Sequence, residues 1–476
     1  MKHLKLGMTL ALMAAGTAAA AEPFKPDTGD TAWMLVSAAL VMIMTPGLAF
    51  FYGGLVRAKN ALNTMMMSYI ALGLVAIVWA VAGYSIAFSH KDLPNLIPGF
   101  FGGFSFAFLN GVDGNSAHPQ AGTIPHNVFM IFQAMFAIIT PALISGAIVE
   151  RIKFKTYLVF IGLWSLLIYA PLAHMVWSND GFLFKLGALD FAGGTVVHIS
   201  AGISALVTAI ILGPRRGFGR TAMAPHNVPF VLIGAALLWF GWFGFNAGSA
   251  VGSNGLAGSA FVATNFGAAA AMFAWAVLEM IKNGKPSAVG AATGAVVGLV
   301  AITPAAGFVT PMAAIAIGAI GALVSFSAMQ LKHRLTTLDD SLDVFFCHGL
   351  GGITGALLTG VFAVSSVNPI LGVNATTNLP NPVGLLEGNP GQLLIQVYGI
   401  LTALALAGVG SAVLLFILKP IMGLRPDSKS EEMGLDLADH GEAAYHGGEY
   451  GATTGSSAIG SSVTVSMGSG KAVAGD

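Results

Sequence analysis

The chain has 476 residues, of which 55% are hydrophobic and 9% charged, whereas a soluble domain carries about 25% charged residues. Its 21 Lys and Arg balance 21 Asp and Glu, so no polyanionic partner is implied. This composition excludes an ordinary cytosolic enzyme, a disordered regulator and a nucleic-acid binder, which needs a basic surface. The single cysteine, Cys347, excludes a disulfide framework or a Cys-based zinc site. A polytopic membrane protein, solvated by membrane lipid, fits all of this.

In chain order, Lys2, His3 and Lys5 precede an apolar stretch from Leu6 to Ala15, and Ala19-Ala20-Ala21 follows. Basic end, short apolar core and small residues together read as a secretory signal peptide over 1–21. The apolar core is too short for the roughly 20 residues a transmembrane helix needs. Eleven later stretches are long enough: approximately 32–56, 64–89, 126–149, 156–177, 192–213, 227–249, 258–281, 287–306, 311–330, 343–364 and 392–422. With the mature N-terminus outside, sixteen of the Lys and Arg fall in cytoplasmic segments. Lys25, Lys91 and Lys185 alone fall outside, the other two being in the leader. That asymmetry obeys the positive-inside rule and favours an odd number of spans, with the tail in the cytoplasm. The division expected is therefore a leader (1–21), a membrane body (22–424) and a cytoplasmic tail (425–476).

Sixty-two glycines, many in small-residue strings such as 290–295, suit close helix packing in lipid. Pro46, Pro141, Pro171 and Pro304 fall within or near span ends and predict kinks. Two echoes recur at an offset of five helices. Ile139-Thr140-Pro141-Ala142 returns as Ile302-Thr303-Pro304-Ala305, and the segment at His198-Ile199-Ser200 returns at His348-Gly349-Leu350. Because five is odd, the second copy is inserted upside down. The expected fold is all-α: eleven transmembrane helices, arranged as two inverted five-helix repeats plus one C-terminal helix.

That symmetry brings His198 and His348 together near the midplane. A lone membrane histidine can simply bond a neighbouring helix, but two at matching positions point to a path, since ionisable groups in a membrane are costly. A buried, paired imidazole is expected to be neutral, with one N–H and one lone pair on each ring. The pair could share a hydrogen bond and offer its remaining atoms to a solute, or relay a proton as a coupled unit. Two rings beside Cys347, with no further suitably spaced ligand, make a poor zinc site, and neither a metal nor a cofactor is expected. Phe132 and Phe136 lie four apart on one helix face. Trp177 ends helix 4 on the outer side, and helix 6 carries Trp242-Phe243-Gly244-Phe245 up to Ser249. These aromatics read either as an interfacial belt or as a cation-attracting vestibule above a dry constriction. Asp190 reads first as the cap of helix 5.

At this point the sequence resembles the ammonium transporter (Amt/Rh) family, most of all its bacterial members. The strings that carry the resemblance are Met44-Thr45-Pro46-Gly47 with Phe51-Tyr52-Gly53-Gly54-Leu55, Asp190-Phe191-Ala192-Gly193-Gly194-Thr195-Val196-Val197-His198, 241–249, and Asp343-Val344-Phe345-Phe346-Cys347-His348-Gly349. The resemblance implies a homotrimer with one pore per subunit, in a bacterial inner membrane, that transports ammonium and is not an enzyme. It implies that Phe136, Trp177 and Ser249, with Phe132 and Trp242 in the same aromatic set, recruit ammonium. Phe136 and Phe245 would form the gate, His198 and His348 the twin-histidine pair, and Asp190 a group tied to recruitment and deprotonation. The tail, through Gly434, Asp436, His440 and Tyr445, resembles those that couple subunits and meet a PII-type signalling protein. The long outer loop 90–125 and the Gly/Ser/Ala-rich stretch 451–476 depart from the compact bacterial pattern. The mechanism expected is cation recruitment outside, loss of a proton near the gate, and passage of ammonia along the histidines. Alternatives are a neutral gas or water channel and an ammonium sensor acting through the tail.

Overall fold

The computed structural model describes residues 24–89, 99–335, 337–368 and 383–445. The expected leader, part of the outer loop and the 451–476 stretch lie outside the described residues. Ten helices there are long and apolar enough to cross a membrane: α1 (Thr28–Leu55), α2 (Ala58–Phe88), α3 (His126–Ile148), α4 (154–177), α5 (Gly194–Leu212), α6 (Val228–Gly248), α7 (Gly255–Asn283), α9 (Pro311–Leu335), α10 (Phe345–Phe362) and α11 (Gly391–Met422). An eleventh apolar helix, α8 (Ala288–Ile302), is shorter. A short helix, α12 (Ser428–Met433), begins the tail, and a π-helical turn, Asp436–His440, follows it.

The ends of these helices follow local chemistry. Asp27, Asn227, Asn254 and Ser287 accept backbone N–H groups at the starts of α1, α6, α7 and α8. Such caps satisfy donors that the first turn leaves without partners. The repeated Ile-Thr-Pro-Ala motif behaves differently in the two halves. Pro141 lies inside α3, whereas α8 stops at Ile302, short of the expected 306, and residues 303–309 run on as turns. Proline lacks the N–H that would continue the helix, and the peptide groups released there are put to use. The Pro304 carbonyl accepts from Phe191 N at 3.1 Å, fixing the loop that enters α5.

Small residues set the closest helix crossings. A β-carbon on Gly234 of α6 would lie 2.3 Å from the Phe51 nitrogen of α1. At the crossing of α5 with α10, a β-carbon on Gly202 would lie 2.2 Å from the Gly349 nitrogen. Without a hydrophobic drive between helices in lipid, such backbone approach is what packs them. The second crossing is decisive for the site, because His198 and His348 flank it. Both α5 and α10 open with a π-helical turn, Gly194–Ile199 and Phe345–Leu350 respectively, and each turn contains its half's histidine.

On the face that carries the Arg- and Lys-rich loops, buried and half-buried ion pairs join the loops. Arg57 pairs with Glu150, and Arg215 binds Asp339 at 2.9 Å. Arg151 donates to the Asp339 carbonyl at 2.5 Å and to that of Ala147 at 2.9 Å. On the opposite face, a two-stranded hairpin, β1 (Ala117–His118) with β2 (Ala121–Pro125), lies over the ends of α2, α3 and α4.

Candidate functional site

Two cavities lie on either side of a pair of closely packed, tilted rings. The outer one, about 130 Å³, is lined by Phe136, Trp177 and Ser249, and also by Gln120 and Gln133. The rings of Phe136 and Phe245 lie between the two, with centroids 4.2 Å apart. Beyond them a cavity of about 10 Å³ holds His198, His348, Trp242, Phe245 and Tyr52 among its walls. That volume is near the least that admits a single water.

Trp177 meets the Phe136 ring edge-to-face, with centroids 6.0 Å apart, and its indole N–H donates to the Asp190 carbonyl at 2.9 Å. Ser249 spends its hydroxyl proton on the Phe245 carbonyl at 2.8 Å, which leaves its oxygen lone pairs for a donor in the vestibule. Phe132 packs behind this pair, 5.0 Å from the Phe136 ring. Trp242, expected with the recruiting aromatics, lies instead on the far side of the Phe136–Phe245 pair from the outer cavity. It stacks on His198 at 5.4 Å, and its indole N–H donates to Thr303 Oγ1 at 2.9 Å. The hydroxyl belongs to the second Ile-Thr-Pro-Ala motif. In the first, Thr140 Oγ1 donates to the Phe136 carbonyl at 2.6 Å.

The two histidines meet as the repeat requires, Nδ1 to Nδ1 at 3.3 Å. A hydrogen bond between like nitrogens needs a proton on one Nδ1 and none on the other, so two neutral rings in opposite tautomers satisfy it. His198 Nε2 is buried and meets no partner in the protein. Asp190 caps the π-turn: its carboxylate accepts from the backbone nitrogens of Gly193, Thr195 and Val196 at 2.9–3.0 Å.

Sequence reasoning missed the other half of this device. Asp340 stands eight residues before His348, as Asp190 stands eight before His198. Its carboxylate accepts from Val344 N at 3.0 Å and Phe345 N at 2.8 Å. Three residues after each aspartate the backbone turns left-handed, at Gly193 (φ 114°) and at Asp343 (φ 57°). Where Trp177 holds the Asp190 carbonyl, Lys332 Nζ holds that of Asp340 at 2.9 Å. The Asp-to-His spacing was the available signal. Cys347 is buried in an apolar cluster with Trp275 and Phe326. Among the described residues no three His, Cys, Asp or Glu side chains converge as a metal site.

The tail packs onto the loops of its own chain. Asp436 accepts from Leu62 N at 3.1 Å and Asn63 N at 2.7 Å, at the start of α2. His440 reaches Asn63 at 3.1 Å and lies 4.7 Å from the Phe154 ring. Tyr445 shares a hydrogen bond with His226 at 2.8 Å. Gly434 adopts φ 109°, and a β-carbon there would lie 2.5 Å from the Lys59 carbonyl oxygen. Arg425 grips Glu431 through two bonds of 2.8–2.9 Å.

The model of the Ammonium Transporter Family matches residues 32–445. The chain belongs to this family. It is 48% identical to an ammonium transporter of Mycobacterium tuberculosis over 439 residues, 88% of this chain and 91% of the relative. It is 47% identical to one of Aquifex aeolicus over 424 residues, covering 89% and 94% of the two chains. Among solved structures it is similar to Mep2 of Saccharomyces cerevisiae, with 37% identity, a TM-score of 0.78, and 87% of this chain and 90% of the other covered. It is also similar to a chain described as a sensor Amt protein, with 28% identity, a TM-score of 0.77, and 87% and 98% coverage. Family membership and the apolar helices make it a multi-pass membrane protein.

Proposed function

We propose that the protein conducts ammonium nitrogen across a bacterial inner membrane as ammonia. The ion is recruited in the vestibule by the faces of Phe136 and Trp177 and by the Ser249 oxygen. It loses a proton at the gate, with Asp190 holding the local field and backbone, and ammonia passes His198 and His348. Ammonium and potassium are of similar size, so size alone separates them poorly. A bare ion moved into low dielectric costs of order 20 kcal/mol in the idealised limit. Ammonium escapes that cost by deprotonation and potassium cannot. The observation that supports this reading is the sequence of an aromatic vestibule, a closed ring pair and a narrow cavity walled by apolar side chains and two buried imidazoles.

In this reading residues 1–21 are a cleaved leader and 22–424 the transport body. Residues 425–476 are a cytoplasmic tail through which three subunits are coupled and a PII-type protein acts. The test is charge movement and internal pH in liposomes after jumps of ammonium or potassium. Current with ammonium alone means that a proton accompanies ammonia. Alkalinisation without current means neutral passage. Neither signal overturns transport and brings forward the sensor reading, in which the docked tail reports ammonium with little flux. A response to potassium equal to that to ammonium also overturns it.

A further inference from the structure

One wall of the outer cavity comes from a strained residue. Val251, in the loop between α6 and α7, has φ 54° and lines that cavity with Ser249, Phe136 and Trp177. A left-handed backbone crowds the β-carbon of any L-residue against the carbonyl oxygen that follows, and a β-branched residue suits it least. Among the described residues Val251 is the only β-branched one at positive φ. Glycine takes this conformation freely, and Gly252 stands next in the chain. The register is nevertheless held from both sides. Val251 N donates to the Gly248 carbonyl at 2.9 Å, at the end of α6. Ser253 N donates to Asp30 Oδ1 at 2.7 Å, in the first turn of α1, and Asn254 caps α7. Gly252 answers a different need, since a β-carbon there would lie 3.2 Å from the Asp30 carboxylate. Strain of this kind persists only where the surroundings over-determine it, and it clusters at functional sites.

The strained turn supplies an isopropyl group where glycine would leave open space. Ser249 and Val251 thus give the same cavity one polar and one apolar contribution, two residues apart. On the proposed transport reading the Ser249 oxygen, whose proton is held by the Phe245 carbonyl, accepts an N–H of the ion, and the ring faces attract its charge. A branched alkyl group offers the ion neither a hydrogen bond nor a π face, so what it contributes is exclusion. An N-methylated ammonium ion keeps its charge and N–H donors, and neither the rings nor Ser249 reject it. Bulk alone separates it from ammonium, and one methylene in an apolar pocket is worth roughly 10- to 200-fold in discrimination. We propose that Val251 is a specificity-determining residue of the vestibule, its isopropyl group being the wall that keeps N-alkylated ammonium ions from the place the bare ion takes. This assignment rests on the vestibule being the ammonium entry site.

The full-length protein in liposomes tests it, with current and internal pH read over a range of ammonium and, separately, methylammonium concentrations. Val251→Ala removes two methyl groups and keeps the β-carbon at positive φ. Val251→Gly removes the wall and the strain together. The half-saturating concentration of methylammonium relative to that of ammonium should fall about fivefold or more in both. Methylammonium flux gained in both variants, where native protein carries ammonium alone, is the same result in its extreme form. A merely structural role moves both ions together, and an unchanged ratio overturns the proposal. A ratio that falls in only one variant reports the backbone of the turn rather than the wall, and also overturns it. If Val251→Gly does not assemble, Val251→Ala decides alone, because it keeps the native backbone conformation. Native protein without flux of either ion fails the transport reading separately. The wall is then read from thermal stabilisation in detergent by each ion. The ratio of the concentrations that give half the effect should fall in Val251→Ala. An unchanged ratio there, or no stabilisation by either ion, contradicts the assignment.

Discussion

At the outer start of α5 and the inner start of α10 the chain builds one device twice: an aspartate capping a π-turn, a left-handed residue three positions on, and a histidine at the eighth. The surroundings differ. Trp177, a neutral aromatic, braces the Asp190 backbone, whereas Lys332, a cation also paired with Asp343 at 2.7 Å, braces that of Asp340. Burial, with the Asp343 charge adding to it, pushes the Asp340 carboxyl up to about 6. The shared geometry positions the histidines, and the unshared part gives the two starts different surroundings. The aromatic brace offers a face that attracts a cation, whereas the Lys332 charge is matched by the Asp343 carboxylate.

The strongest way to break this comparison lies at the inner mouth. Asp339→Asn leaves Arg215 and Arg151 without their buried partner, and about 3–5 kcal/mol of stability should be lost, read as a lower melting temperature in detergent. Burial alone would raise the Asp339 carboxyl, but the bonds and charges of Arg215 and Arg151 outweigh it and hold it below the usual value. A depressed carboxylate stabilises above its unfolded pKa of about 3.9, and that stability is lost as pH falls through the folded value. The native melting temperature should therefore drop below about pH 4, and Asp339→Asn should show a shallower drop.

Next in size, Asp190→Asn retains a capping oxygen but no charge. If the outer carboxylate matters to recruitment, ammonium flux should fall about tenfold or more, while Asp340→Asn falls less than about threefold. Equal losses would reduce both aspartates to helix caps. Trp177→Leu removes the aromatic brace, and a cation–π contact of about 0.5–2 kcal/mol predicts a half-saturating ammonium concentration raised about two- to thirtyfold. The smallest effect is expected at Thr303→Val, which strips Trp242 of its acceptor and costs about 1–3 kcal/mol locally. Flux at saturating ammonium should fall severalfold with half-saturation unchanged, because Trp242 lies past the gate.

Composition and hydropathy made the spans legible, and most predicted limits lie within a few residues of the observed ones. The early end of α8 has a local cause in Pro304, which no hydropathy window weighs. The meeting of His198 with His348 could be read from two short echoes and the parity of their offset. Trp242 could not be placed by pattern. It shares α6 with Phe245, and Ser249 follows that helix, but three residues before Phe245 its side chain falls in the inner cavity with the histidines. Gln120 was invisible for a different reason. Its position depends on a hairpin in a loop that departs from the family pattern, and a lone glutamine carries no periodicity.

The Nδ1-to-Nδ1 contact also sets a rule for traffic through the pair. Suppose a proton reaches the bare Nε2 of the ring whose Nδ1 holds the shared hydrogen. That hydrogen moves across the 3.3 Å gap, and the second ring releases its own Nε2 proton. One charge has crossed, yet both rings are left in the reverse tautomer, facing the wrong way for the next. A second proton in the same direction would have to wait for the pair to reset, whereas an ammonia molecule passing as proposed would leave it undisturbed. On that reading proton and amine share a channel but keep different clocks.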